Sequence, residues 1–155
     1  DRDDKLSIMR DSSIGSYGVL ALILAVGARI AALGTLGGGE MVLAALVGSG
    51  SVSRAVMPVI MYQLRPARSD GVAADAGRPT RETVIWAVAI GAIVIFVTLG
   101  LAPGFAAITA AAITVWAVAA LANSQIGGYT GDVVGAAGQI VEIVFLSICV
   151  TLAVN

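Results

Sequence analysis

One carboxylate in this chain stands among glycines, a setting typical of a site where the backbone approaches a bound group. Asp132 lies in the stretch Gly-Gly-Tyr-Thr-Gly-Asp-Val-Val-Gly-Ala over residues 127–136, and it is the only acidic residue between Glu82 and Glu142. Glycine permits close backbone approach, and carboxylate oxygens suit a hard cation such as Mg²⁺. We therefore predict that Asp132 is a catalytic residue that supports a metal ion or orients a polar head group.

Arginines and a second carboxylate add the groups that phosphate chemistry requires. Arg10 and Asp11 are adjacent near the start of the chain, and Arg65 and Arg68 follow the second apolar run. Arginine binds phosphate oxygens through its planar fork, and carboxylates hold a divalent cation. The pattern predicts substrate binding by the three arginines and makes Asp11 a second catalytic and metal-ligating candidate. For Arg65 and Arg68, topology signalling and lipid head-group contact remain the alternative.

Ionisable residues also lie inside the apolar runs. Arg54 and Glu142 are each about 14 Å from the nearer end of a run at 1.5 Å per residue. An unpaired charge at the bilayer centre costs roughly 2.5 to 3.5 kcal/mol. We predict that Arg54 and Glu142 pair with each other, and a purely structural ion pair is the alternative to a functional one. Arg29 is predicted to be structural, reaching towards the far side and meeting Glu40.

Short polar segments outside the runs have two interpretations each. Asp11, Ser12 and Ser13 are good N-caps for the first run, and a free helix N-terminus also receives phosphate. This makes Ser12 a candidate for substrate binding. Asp70 and Asp75 superficially resemble the paired-aspartate metal motif of phosphotransferases. Their Gly- and Ala-rich surroundings over residues 70–77 favour a solvated loop instead.

The composition places these residues in a membrane protein. The chain is 58% hydrophobic and only 12% charged, against about 25% charged in soluble domains. Five apolar runs approach the roughly 20 residues needed to span a bilayer as helices: Ile14–Leu36, Met41–Leu64, Thr83–Leu101, Phe105–Ala122 and Val133–Val154. We predict an all-α, polytopic integral membrane helical bundle over residues 1–155, with no nucleic-acid partner. Pro58 and Gly48-Ser49-Gly50 predict a kink or break in the second helix.

Charge placement predicts the orientation of the bundle. The basic residues cluster before the first run and between the second and third, at Arg2, Lys5, Arg10, Arg65, Arg68, Arg78 and Arg81. By the positive-inside rule, residues 1–13 and 65–81 face the cytoplasm, and counting spans places 125–132 on the same side. For Arg2, Lys5, Arg78 and Arg81 we favour topology signalling. The candidate site residues therefore share one membrane face.

Four blocks in a fixed order carry a family resemblance. They are Lys-Leu-Ser-Ile-Met-Arg-Asp-Ser-Ser-Ile-Gly-Ser-Tyr-Gly at 5–18, Ser-Arg at 53–54, Arg-Pro-Ala-Arg at 65–68 followed by Gly71, and the glycine-rich stretch at 127–136 with Glu142. Any one block alone is a weak signal. Together, spanning residues 5 to 142, they resemble the cobalamin synthase family, also called adenosylcobinamide-GDP ribazoletransferase.

The resemblance implies a multi-pass, Mg²⁺-dependent enzyme of the bacterial inner membrane with a cytoplasmic active face. Such an enzyme transfers the adenosylcobinamide phosphate group from adenosylcobinamide-GDP to α-ribazole or its 5′-phosphate. It releases GMP and gives adenosylcobalamin or its 5′-phosphate, in the last steps of cobalamin biosynthesis. The 3′-hydroxyl of ribazole attacks the phosphorus attached to the cobinamide arm. This chemistry requires mainly positioning and charge neutralisation.

The resemblance also suggests a role for each matching residue. The pyrophosphate and the ribazole phosphate are assigned to the arginines at 10, 54, 65 and 68. Thr130 and the backbone amides of Gly128 and Gly131 are assigned as hydrogen-bond donors to the same oxygens. Glu142 either holds Arg54 in place or assists deprotonation of the attacking hydroxyl.

One departure from the family pattern bears on activity. The family carries an Asp-rich metal motif just upstream of the Met-Arg-Asp-Ser block, whereas this sequence begins Asp-Arg-Asp-Asp without a Met. We expect the chain to be the C-terminal part of the family protein, with an upstream portion of the same protein as partner and source of the main metal ligands. Activity of this piece alone is in question.

Two other functions and an assembly remain open. A different membrane phosphotransferase acting on a nucleotide-activated alcohol has similar needs, and a small-molecule transporter also places charges at the midplane. No inverted repeat is visible among the five runs, which speaks against transport. Small residues such as Gly91, Ala92, Ala110 and Ala111 allow helix contacts within the chain or in a homo-oligomer.

Overall fold

The computed structural model describes residues 1–11 and 13–154, and Ser12, one of the predicted substrate-binding residues, lies outside them. Within these residues the chain forms seven helices: α1 Arg2–Ile8, α2 Ser16–Thr35, α3 Gly39–Gln63, α4 Val72–Asp75, α5 Arg81–Leu99, α6 Leu101–Ile126 and α7 Gly131–Val154. The all-α class predicted from the sequence is confirmed.

Five of these helices are long and apolar enough to cross a membrane. Helices α2, α3, α5, α6 and α7 contain 19 to 26 residues each, which gives roughly 29 to 39 Å at 1.5 Å per residue. The hydrocarbon core is about 30 Å thick. Helix α6 is longer at both ends than predicted. It accommodates Pro103 in its first turn, where proline is tolerated, and it ends at Gly127 in the left-handed conformation, φ 70°.

Helix α3 holds the bundle together. It packs against α5 and α7, α6 also packs against both of these helices, and α2 packs mainly on α7. The shared core contains branched and aromatic side chains from four helices, among them Val52, Val56, Ile60, Ile95, Val115, Val141, Phe145 and Leu146. Large side chains on the outer surface, such as Ile93 and Trp116, are exposed, as lipid-facing positions require.

Glycines let α3 and its neighbours approach closely. A Cβ on Gly48 would lie 2.4 Å from the Phe145 ring, and one on Gly91 would lie 2.7 Å from the Ala55 Cβ. Helix α3 runs without interruption from Gly39 to Gln63 with Pro58 inside it, so of the predicted kink or break, the break does not occur. Gly48 serves packing, and a proline removes only one hydrogen-bond donor from the helix ladder.

Polar segments gather at one end of the bundle. Because consecutive spans alternate in direction, α2, α5 and α7 begin at this end, and α3 and α6 finish there. We call residues 1–11, 13–15, 64–80 and 127–132 the polar end. Its 70–77 segment, predicted as a solvated loop, contains the one-turn helix α4. The structure thus joins the segments that carry most of the candidate residues.

Candidate functional site

Backbone pairing ties the two loops of the polar end together. Pro66 and Tyr129 form a parallel bridge. The Ala67 N–H donates to the Tyr129 carbonyl at 2.8 Å, and the Tyr129 N–H donates to the Arg65 carbonyl at 2.9 Å. Gly128 makes this approach possible, since a Cβ there would lie 2.2 Å from the Arg65 oxygen. Gly128 is buried, and it has a packing role in addition to its predicted binding role.

Tyr129 anchors this junction, and the sequence interpretation missed it. Its side chain is 1% exposed, and its hydroxyl donates to the Ala73 carbonyl of α4 at 3.4 Å. Burial raises the pKa of the Tyr129 phenol, so the group stays neutral at physiological pH. The residues around Tyr129, Gly128 and Thr130, gave no signal that its side chain is buried. The segment that covers it is more than 50 residues away in sequence.

Thr130 caps α7 rather than opening towards a ligand. Its side chain is 1% exposed, and its Oγ1 accepts a hydrogen bond from the Val133 N–H at 3.4 Å. The Val134 N–H donates to the Thr130 carbonyl at 3.1 Å. This geometry gives no support to the predicted donation from Thr130 to substrate oxygens. Gly131, the first residue of α7, is exposed with open space around it.

Asp132 lies in the first turn of α7 and is exposed. Among the described residues its carboxylate has no hydrogen-bond or ion-pair partner. The buried junction at Tyr129 and Thr130 directly precedes it and fixes the start of the helix. Asp132 is therefore a fixed but free carboxylate at the polar end, as a ligand for a cation or a polar group requires.

Arg10 and Arg68 border a polar cleft of about 370 Å³ between α1 and the segment after α3. The cleft is lined by Asp3, Leu6, Ser7, Arg10, Ala67, Arg68, Ser69 and Asp70. Arg10 Nη2 donates to both Asp70 carboxylate oxygens, at 2.8 and 2.6 Å. Both side chains are more than half exposed, so the pair is weak and open to exchange. Neither Arg65 nor Arg68 has a side-chain partner among the described residues.

Arg2 and Lys5, for which topology signalling was favoured, connect α1 to the rest of the polar end. Arg2 Nε donates to the Ile126 carbonyl at 2.8 Å, and its Nη2 donates to the Ala67 carbonyl at 3.0 Å. Lys5 donates to the Gln125 side chain at 2.6 Å. A cation at the C-terminus of α6 also complements the helix dipole. Spacing along the sequence gave no sign of these contacts.

Asp11 lies in the connection before α2. Its Oδ1 accepts a hydrogen bond from the Ser13 N–H at 2.9 Å. That backbone bond, helped by the Ser13 side chain, holds the pKa of the Asp11 carboxyl below its ordinary value. The N-cap of α2 is Gly15, which has no side-chain cap, so the prediction that Asp11 or Ser13 caps this helix is wrong. The Asp11 carboxylate instead accepts a hydrogen bond from the backbone two residues later.

Glu142 pairs with Arg29, and the predicted partners of both residues are wrong. Arg29 Nε donates to Glu142 Oε1 at 3.0 Å, and Arg29 Nη2 donates to the Gln139 side chain. Arg54 is exposed and contacts only the Met57 sulfur, at 4.0 Å, among the described residues.

The predicted pair between Arg54 and Glu142 fails because of the direction in which Arg54 points around the α3 axis, and not because of its depth in the bundle. Ser53 faces α7, because a Cβ on Gly138 would lie 3.0 Å from its hydroxyl oxygen. The next residue, Arg54, is turned about 100° away from that contact, as the period of 3.6 residues per turn requires. Glu142 follows Asp132 by ten residues on α7, about 15 Å along the axis. It therefore does not share a reacting centre with Asp132.

The described carboxylates do not form a complete metal centre. No group of three or more His, Cys, Asp or Glu side chains that would hold an ion occurs among residues 1–11 and 13–154. Asp132 and Asp11 are each available as a single carboxylate. Mg²⁺ commonly uses one or two carboxylates, several waters and substrate phosphate oxygens, so these residues fit a partial ligand set.

Five apolar helices and a polar end that carries free arginines and a carboxylate define a multi-pass α-helical membrane protein with a candidate site at one end of its bundle. A family model described as cobalamin-5-phosphate synthase matches residues 1–150. The chain belongs to that family.

Similar proteins from bacteria support the same assignment. An adenosylcobinamide-GDP ribazoletransferase of Bradyrhizobium diazoefficiens is 42% identical over 145 residues, which cover 94% of this chain and 56% of that protein. The proteins of the same name from Mesorhizobium japonicum and Allorhizobium ampelinum are 43% and 38% identical, covering 94% of this chain and 56% and 59% of their own lengths. The chain thus spans little more than half of these curated relatives. No solved structure matches it.

Proposed function

We propose that this chain is part of an enzyme that transfers the adenosylcobinamide phosphate group from adenosylcobinamide-GDP to α-ribazole or its 5′-phosphate, with GMP as the leaving group. The observation that carries the proposal is the family match over residues 1–150. In the reaction, a ribazole hydroxyl oxygen forms a bond to the cobinamide-side phosphorus. The bond from that phosphorus to the bridging oxygen breaks, GMP takes the electron pair, and the hydroxyl proton passes to water.

The polar end supplies the charges that this transfer needs. Arg65 and Arg68 have no acidic partner among the described residues, so both are free to neutralise phosphate oxygens. Arg10 is available by exchange of its exposed bond to Asp70. Catalysis of phosphoryl-type transfer rests mainly on such positioning and neutralisation. Arg54 lies nine residues before the end of α3, about 14 Å from the polar end along the helix axis, so it does not join this set and stays a prediction from the sequence alone.

The carboxylates take different parts in this proposal. Asp132 orients the substrate or a Mg²⁺ ion, because its side chain is free and its position is fixed by the preceding junction. A bound Mg²⁺ supplies Lewis-acid stabilisation of the phosphate oxygens. Asp11 is the second ligand candidate, and its lowered pKa keeps it ionised, which suits cation binding better than proton abstraction. The upstream portion of the full-length protein is the proposed source of the remaining ligands.

A GMP-release assay tests the proposed activity. Membranes carrying the full-length protein are given adenosylcobinamide-GDP with and without α-ribazole, and GMP and the corrinoid product are quantified by chromatography. We expect release that depends on α-ribazole and on Mg²⁺. GMP no higher than in membranes lacking the protein would overturn the proposal.

Paired aspartate variants test the site within that assay. Asp132→Asn keeps the size of the side chain and removes its charge, so we expect turnover to fall roughly 100-fold with unchanged membrane abundance. Asp75→Asn makes the same change at another exposed aspartate of the polar end and should retain activity. Equal activity of the two variants at limiting Mg²⁺ would reject the role of Asp132.

A further inference from the structure

A polar cluster lies well inside the apolar length of α2 and α7. Arg29 of α2 donates to Glu142 and Gln139 of α7 and also to the Ala25 carbonyl of its own helix, at 3.1 Å. The Arg29 and Glu142 side chains are 18% and 22% exposed. Polar groups at this depth are costly unless they are paired, so the cluster binds its two helices at one defined place.

Helix α2 packs mainly on α7, and none of its 20 residues is buried. Its last turn packs on the core through Ala32 and Leu33, and Leu36, which follows it, is buried. None of the residues of α2 before Arg29 packs on this core. A shift of one turn along α7 would move the Arg29 ion pair by about 5.4 Å and break it. The cluster and the buried Leu36 therefore set the height of α2 together.

That height matters at the polar end. Arg29 is 13 residues after the first residue of α2, and Glu142 is 11 residues after the first residue of α7. Since Arg29 reaches back towards its own N-terminus, as its bond to Ala25 shows, the two helices begin at nearly the same level. Gly15, the N-cap of α2, thus lies level with the start of α7 and with Asp132.

We propose that Arg29 is a positioning residue: its ion pair with Glu142 fixes the height of α2 on α7 and so holds the start of α2 level with the first turn of α7, which carries Asp132. The catalytic consequence rests on the proposed function. The structural part, which is that the ion pair locks the height of α2 on α7, does not depend on the proposed function.

Distance measurement tests the lock without any activity assay. Spin labels are placed at Gly15→Cys and Gly135→Cys of the full-length protein in lipid, in a background with Cys149→Ala and any further cysteines replaced. Both glycines have open space where a side chain would begin. We expect a narrow distance distribution with Arg29 present. In Arg29→Gln it should broaden or shift by roughly one helical turn, about 5 Å.

Reversing the two charges distinguishes the loss of the Arg29–Glu142 ion pair from a general loss of folding. The double variant Arg29→Glu with Glu142→Arg restores an opposite-charge pair and should recover the narrow distribution, and Arg29→Lys should recover part of it. Glu40→Gln, a charge change at the other end of the bundle, should leave it unchanged. An unaltered distribution in Arg29→Gln would overturn the proposal.

Kinetics then test the consequence for the proposed reaction. Arg29→Gln should lower kcat at least tenfold with little change in KM, and the charge reversal should restore kcat in parallel with the distance. If no variant, including the parent, releases GMP, the proposed function fails while the distance result still stands. If the distance shifts and kcat does not, the lock has no role in positioning for this reaction.

Discussion

Gly128 and Gly131 stand three residues apart, yet their surroundings assign them different tasks. A Cβ on Gly128 would meet the Arg65 carbonyl at 2.2 Å, whereas nothing lies within 4 Å of the same position at Gly131. Overpacking typically costs 1–3 kcal/mol, so we expect Gly128→Ala to lower the thermal midpoint by several degrees. Gly131→Ala should leave it nearly unchanged. Equal midpoints in detergent unfolding scans would contradict the backbone pairing of residues 65–67 with residue 129.

The arginines of the 65–81 segment also differ in what they are free to do. Arg78 donates twice to the Tyr62 carbonyl and lies 4.6 Å from the Tyr62 ring centroid, while Arg68 lines the polar cleft without a partner among the described residues. A charge-assisted hydrogen bond contributes about 1.5 to 3 kcal/mol. We therefore expect Arg68→Gln to raise the KM for adenosylcobinamide-GDP about tenfold or more.

The matched variant is Arg78→Gln, which removes the same charge from the same segment. Its KM should stay near that of the parent protein, with a lower thermal midpoint because α3 loses its contact to the loop. A larger KM effect for Arg78→Gln than for Arg68→Gln would reverse the assignment of the two residues.

At the scale of elements, variants of Thr130 distinguish capping of α7 from binding of substrate. Replacing an N-cap threonine costs about 1 kcal/mol, so Thr130→Val should lower the thermal midpoint of the protein. Thr130→Ser keeps the hydroxyl and should restore it. Because the side chain is buried against α7, neither variant should change the KM for either substrate. A selective rise in KM for Thr130→Val would return this residue to the substrate site.

Helix length and type were predictable because lipid imposes them. A run of about twenty apolar residues in a membrane must satisfy its own backbone, and the five predicted spans end within four residues of the observed helix ends. Rotation about each helix axis was not predictable. The hydrophobic pattern of α3 is nearly uniform, so nothing in the sequence marked Ser53 as facing α7 and Arg54 as turned away. For that reason the predicted partner of Glu142 was wrong.

The candidate site residues also divide into those whose placement was predictable from the sequence and those whose placement was not. That Asp132 and the arginines come near one end of the bundle follows from counting spans, which needs only the number and length of the runs. The burial of Tyr129 and the bonds of Arg2 depend on contacts between segments 56 or more residues apart, and single-sequence spacing carries no information on them. Most of the contacts that the sequence did not predict are therefore made by loops.

At the scale of the whole molecule, the orientation of the bundle decides which compartment the polar end faces. The polar end carries most of the arginines, whereas the connections at residues 36–38 and at Gly100 have no Lys or Arg. The positive-inside rule therefore predicts that the polar end faces the cytoplasm, where nucleotide-activated substrates are made.

Single-cysteine labelling measures this orientation directly. In a Cys149→Ser background, Ala76→Cys reports the polar end and Gly38→Cys the opposite end, and both positions are exposed. We expect a membrane-impermeant maleimide to label Gly38→Cys in intact cells and Ala76→Cys only after the inner membrane is opened. The reverse pattern would place the site on the outer face of the membrane. The interpretation of these arginines as topology signals would then be rejected, because the charge rule that assigns the polar end to the cytoplasm would have failed.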